Sequence, residues 1–150
     1  MIKQFVANII AGLILLIPIF NAPVAKAPTL KWHEQNELYA SYLPEDSLHP
    51  ATYYGFKRYN GPSGTEDYYN CYMDNVIHIM RSEYPEDEYP YWIRQDGCKM
   101  LGDYIICSAD HELYERGDII DTSLGKAIIV EFNGTSNSST ADVWIATAWK

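Results

Sequence analysis

The stretch that decides the fold is 102–134, G-D-Y-I-I-C-S-A-D-H-E-L-Y-E-R-G-D-I-I-D-T-S-L-G-K-A-I-I-V-E-F-N-G, followed after a polar loop by 141–149, A-D-V-W-I-A-T-A-W. Isoleucine, valine, tyrosine, threonine and tryptophan crowd four short runs, Tyr104–Ala109, Asp118–Thr122, Lys126–Phe132 and Asp142–Ala148. Glycine or Asn/Ser clusters separate them, the punctuation of a compact β domain. Acidic side chains stand at or beside the run ends, at Asp110, Glu131 and Asp142. Carboxylates so placed suit a cleft at the rim of a small barrel.

Ahead of this region, Gly61-Pro-Ser-Gly64 reads as a turn. Met73, Val76, Ile77 and Met80 then fall at i, i+3, i+4 and i+7, the apolar stripe of a short amphipathic helix, with Asp74 in its first turn. Pro85 and Pro90 bound an acidic connector, after which Tyr91–Arg94 reads as a further strand. Residues 28–60, rich in proline, read as an extended arm that wraps the domain, with one or two helical turns at Leu38–Leu43 ended by Pro44.

Residues 1–27 read as a targeting segment. Lys3 supplies a positive end, Phe5–Phe20 is nearly uninterrupted hydrophobe, and Ala25-Lys26-Ala27 has the small-x-small form of a cleavage site. Pro28 directly after that site disfavours cleavage, so an uncleaved N-terminal anchor is the alternative. Either way the domain is expected outside the cytoplasm, secreted or in the cell envelope, touching membrane only through this segment.

With a net charge of −9, made more negative by loss of Lys3 and Lys26, the chain lacks the basic footprint that nucleic acid requires. Apolar residues make up 47%, enough for a core in one domain. Thirteen tyrosines and four tryptophans suit pleated surfaces, and equally a sugar or peptide groove. His33, His49, His78 and His111 lack the paired spacing of a zinc site, and no dinucleotide or phosphate-loop fingerprint occurs, so no metal and no cofactor is expected. Three cysteines, Cys71, Cys98 and Cys107, leave an odd thiol; a Cys98–Cys107 disulfide across the Leu101–Asp103 turn is one pairing an oxidising compartment would allow.

From Gly61 to Trp149 the chain resembles the 3D (three-aspartate) domain family of exported Gram-positive and phage proteins. The landmarks are G-P-S-G, Y-Y-N and M-D-N-V-I, then D-G-C-K-M-L-G-D-Y-I-I-C-S-A and T-S-L-G-K-A-I-I-V. The resemblance implies a mostly β fold, a small double-psi β-barrel with one or two short peripheral helices. It also implies action on peptidoglycan or another wall glycan, as in lytic transglycosylases. Asp110, ahead of Gly117, matches the first family aspartate. The second opens D-T-G-G in the family and reads Glu131-Phe132-Asn133-Gly134 here. The third falls on Asp142, or on Trp144 at the longer spacing of a phage-like subgroup; the two share a strand face. The resemblance therefore implies Asp142, Glu131 and Asp110 as catalytic carboxylates, with Trp144 and Asn133 against substrate. A non-catalytic wall- or partner-binding module on the same barrel is the alternative, favoured by the altered D-T-G-G.

Export has a direct check. Mass spectrometry of protein recovered from culture medium or envelope should find its first residue at or near Pro28, or at Met1 if the segment stays as an anchor. Full-length protein confined to the cytoplasm would contradict the reading.

Overall fold

The structure, a computed structural model, is described for residues 30–50, 58–133 and 142–149. In chain order the elements are α1 (Trp32–Ala40), β1 (Tyr59–Gly61), β2 (Gly64–Tyr69), α2 (Asp74–Met80), β3 (Tyr91–Ile93), β4 (Lys99–Leu101), β5 (Tyr104–Ala109), β6 (Ile119–Thr122), β7 (Gly125–Phe132) and β8 (Asp142–Ala146). The strands form one curled, half-barrel sheet running β1-β2-β8-β5-β4-β3, with β7 on the other edge of β5 and β6 beyond it. Two pairings are parallel, β2 with β8 and β5 with β7. Between them β8 and β5 run antiparallel.

Strand alternation sorts the side chains onto two faces. Ile105, Cys107, Ile129, Val143 and Ile145 point to the concave inner core. Leu101, Ile106, Ile128, Val130 and Ala146 point outward, where Met73, just ahead of α2, and Ile77 and Met80 of α2 cover them. The helix lies where the apolar stripe placed it, and three of that stripe's four residues are buried.

One irregularity changes which residues face out. The β5–β7 register shifts between Cys107, opposite Ile129, and Ser108, opposite Glu131. Val130 is the extra residue of a bulge, which resets the alternation of the strand beyond it. Glu131 is thereby level with Ser108 on the outer face, and Phe132 turns in against the core. Without the bulge a carboxylate would enter the core.

Trp149 closes the inner core. Trp149 is 0% exposed; its indole N–H donates to the Asp96 carbonyl at 2.6 Å, and its own carbonyl accepts from Asn70 Nδ2 at 2.9 Å. Tyr68 meets the ring edge-on at 5.3 Å between centroids. Gly97 makes room for it: at φ 87° it sits in left-handed space, and a Cβ there would stand 2.5 Å from the indole nitrogen.

Residues 30–50 contribute packing as well as reach. The helix lies earlier than the sequence suggested, at Trp32–Ala40, with Glu34 accepting from the Lys31 amide at 2.8 Å. Farther on, Leu48 is 1% exposed and belongs to the inner core. The strand ends also differ slightly: β6 starts at Ile119, β7 at Gly125, and β8 stops at Ala146, after which Thr147 makes a single bridge to Cys98. The structure holds Cys71, Cys98 and Cys107 as free thiols, in place of the Cys98–Cys107 pairing. Both of those are buried, and the Cys107 thiol donates to the Ile128 carbonyl at 3.3 Å.

A charged residue is enclosed too. Glu66 of β2 is 1% exposed, lies against Gly61 where no Cβ would fit, and accepts from the Ser123 amide at 2.7 Å and from the Ser123 hydroxyl. That hydroxyl in turn accepts from the Leu48 amide at 3.0 Å, so one serine ties the β6–β7 turn to both β2 and the arm. Burial pushes the Glu66 carboxyl above the ordinary glutamate value of 4.5, against the opposing pull of the Ser123 bonds. A carboxyl with a raised folded-state pKa binds its proton more tightly folded than unfolded. Its contribution is then fully present below the unfolded value and is lost as pH rises through the folded one. Urea unfolding of wild type and Glu66→Gln at mildly acidic and at alkaline pH should show wild type losing stability relative to the variant as pH rises. A difference that is flat with pH would contradict this.

Candidate functional site: a groove on the outer face

Helix α2 covers only part of the outer face. Where it stops, one row of residues crosses four strands: Asp67 of β2 opposite Trp144 of β8, Trp144 opposite Ser108 of β5, and Ser108 opposite Glu131 of β7. One step toward the helix the face is apolar, with Tyr69 opposite Ala146 and Ile106 opposite Ile128. At that boundary lies an open groove of 270 Å³ lined by Tyr69, Ser108, Glu131, Phe132, Asn133 and Trp144. Its walls are rings and its polar groups are a carboxylate, an amide and two hydroxyls, a combination suited to a ligand with apolar faces and a polar edge.

The Tyr69 hydroxyl donates to Glu131 Oε2 at 3.4 Å. Burial, then the charge of Glu131, pushes the Tyr69 phenol well above its ordinary value, so it stays a donor across the neutral range. Cys71, just beyond, also has its thiol raised by burial and then by Glu131, with Lys99 opposing.

The structure brings three of the five residues expected at the site, Glu131, Asn133 and Trp144, into this groove, whereas Asp110 and Asp142 do not line it. Asp110 follows the last residue of β5 and starts a turn. Its Oδ1 accepts from the Glu112 amide at 2.9 Å, its carbonyl accepts from Leu113 and Tyr114, and His111 Nδ1 lies 3.8 Å away. Asp142 shares the outer face with Trp144, but its Oδ2 lies 3.9 Å from Arg58 Nη2, and Arg58 Nε also bonds Asp67 at 3.3 Å. The Asp142 carbonyl accepts from Asn133 Nδ2 at 3.4 Å, which joins the end of β7 to the start of β8.

Tyr69, Ser108 and Phe132 were not singled out from the sequence. Ser108 carried a legible signal, as the polar residue at an outward position in Y-I-I-C-S-A. Tyr69 carried none, because nothing local says that β2 pairs with β8. Among the described residues no three His, Cys, Asp or Glu side chains group to hold a metal ion, and no helix is long and apolar enough to cross a membrane. Residues 1–27, read from the sequence as a targeting segment, lie outside the described residues. The chain matches no family model, no curated protein and no solved structure.

The thiols give a check on this arrangement. Cys71 is partly exposed beside the groove, while Cys98 and Cys107 are enclosed. A thiol-reactive dye should label one cysteine in native protein and all three after unfolding. Fewer than three in denatured, unreduced protein would mean a disulfide and contradict the structure.

Proposed function

We propose that this is an exported cell-wall protein of the three-aspartate kind, whose groove holds a peptidoglycan glycan strand and whose Glu131 cleaves it as a lytic transglycosylase does. The observation that carries the reading is the Trp144–Ser108–Glu131 row, which sets a ring and a carboxylate on either side of Ser108 at one open groove. A sugar ring offers an apolar face to stack on Trp144 and hydroxyls for Asn133, Ser108 and Tyr69. The two parallel pairings flanking the antiparallel β5–β8 contact support a double-psi closure of the curled sheet.

The chemistry needs one acid. The Glu131 carboxyl protonates the glycosidic oxygen as the bond to the anomeric carbon breaks. The carboxylate so formed takes the proton of the same sugar's 6-hydroxyl, whose oxygen closes on the anomeric carbon. The product is an anhydro sugar, no water is consumed, and the proton Glu131 gives to the leaving oxygen is replaced by the one from the 6-hydroxyl. Two-carboxylate glycosidases need a second acid poised at the ring, and here Glu131 is the carboxylate lining the groove. Of the three carboxylates the resemblance implies, Glu131 takes the acid role in this reading, since Asp142 faces Arg58 and Asp110 is engaged by its own turn.

The second reading is a wall-binding module without catalysis, favoured by that same diversion of Asp110 and Asp142. Purified cell walls separate the two. Wild type should release anhydro-muropeptides, and Glu131→Gln, which keeps the shape, should lower release by about a hundredfold or more, a typical general-acid contribution. The variant should still sediment with walls, and Trp144→Ala should not. Sedimentation of wild type without release supports the binding module; an unchanged rate in Glu131→Gln contradicts the catalytic assignment.

A further inference from the structure

Across the Asn70–Met73 link from the groove, the same face holds a second pocket, of 340 Å³. Lys99 of β4 lies in it. Its neighbours Met100 and Leu101 belong to the inner and outer clusters respectively, so alternation sets Lys99 on the outer face with Leu101. The residue is 6% exposed, and its ammonium donates to Asn70 Oδ1 at 3.0 Å and to the Cys71 carbonyl. Both acceptors are neutral. Among the described residues no carboxylate lies within ion-pair distance of Lys99. An ammonium has three donors, so these two bonds leave one to spare.

A buried charge without a counter-charge is costly, and its burial lowers the Lys99 pKa accordingly. An anion entering the pocket would relieve that cost. Tyr39, Tyr91 and Ile93 form apolar walls, and Asp74, exposed in the first turn of α2, also lines the pocket. Asp74 is near enough to Tyr91 for its charge to raise that phenol, after burial as the larger cause.

We propose that this pocket binds a free amino acid with an apolar side chain: Lys99 takes the α-carboxylate, Asp74 the α-ammonium, and the Tyr39, Tyr91 and Ile93 walls the side chain. The assignment uses one buried cation, one exposed anion and apolar walls, all lining one pocket, which are the complements of a zwitterion's three parts. It does not depend on the glycan reading, since none of its residues lines the groove.

The test titrates the full protein with leucine, with isocaproate (leucine lacking the ammonium) and with isoamylamine (leucine lacking the carboxylate), following backbone amide shifts by NMR. Leucine should bind saturably and shift Tyr91 and Ala148, isocaproate should bind more weakly, and isoamylamine should not bind. Lys99→Met should weaken leucine by about tenfold or more, the loss of one charge-assisted contact. Asp74→Asn, at an exposed position where folding is not at stake, should bring leucine and isocaproate to the same affinity. No saturable shift with leucine, binding of isoamylamine as tight as leucine, or leucine affinity unchanged in folded Lys99→Met would each overturn the proposal. So would a leucine preference that survives Asp74→Asn.

Discussion

The insertion of β8 between β2 and β5 is the constraint on which the rest depends. Those two strands lie far apart in the chain, and β8 holds them in one sheet by pairing parallel with one and antiparallel with the other. Trp149 fixes β8 there. Its ring fills the inner core against Tyr68, its indole N–H is bonded to the Asp96 carbonyl, and its carbonyl is held by Asn70. Trp149 is therefore structural. A large ring enclosed with its polar group bonded resists truncation strongly, at about 3–5 kcal/mol for loss of such a side chain.

From that placement the groove follows by register. Once Ser108 faces Trp144, the bulge at Val130 decides what stands on its other side, and it presents Glu131. Helix α2 covers the apolar rows and stops short of this polar one, so Trp144, Ser108 and Glu131 of the row line a groove. The Asn70–Met73 link that leads into α2 separates the groove from the Lys99 pocket, and Cys71 on that link feels charge from both sides. The two cavities are thus neighbours because one short connection must cross the face.

Much of the fold was legible where local pattern and burial agree. Tyr104–Ala109 reads as a strand because its residues alternate between two packed faces, and it is one to the residue. The Met73–Met80 stripe reads as a helix because one side is buried. β2 was not read as a strand. G-T-E-D-Y-Y looks like a polar loop because Glu66 spends a carboxylate inside, tied to Ser123, where an apolar side chain would have given the period. The three-residue strands β1 and β4 are too short to show any period. At the site, Glu131, Asn133 and Trp144 were within reach of sequence, but their grouping depended on a bulge that sequence does not mark. Asp110 and Asp142 stood at the right strand ends, yet a turn amide and an arginine engage them, and both are tertiary facts.

The claim at the centre of this account is that the Trp144 row is where a glycan meets the protein. Of the four tryptophans, Trp149 has its indole N–H bonded to Asp96 and Trp92 has its own bonded to Gly102, while Trp144 lines the groove. The most direct measurement follows the indole N–H signals by NMR as a soluble disaccharide muropeptide is added. The account predicts that the Trp144 signal moves saturably while those of Trp149 and Trp92 stay in place. A Trp144 signal that does not move, or movement at Trp92 alone, would contradict it.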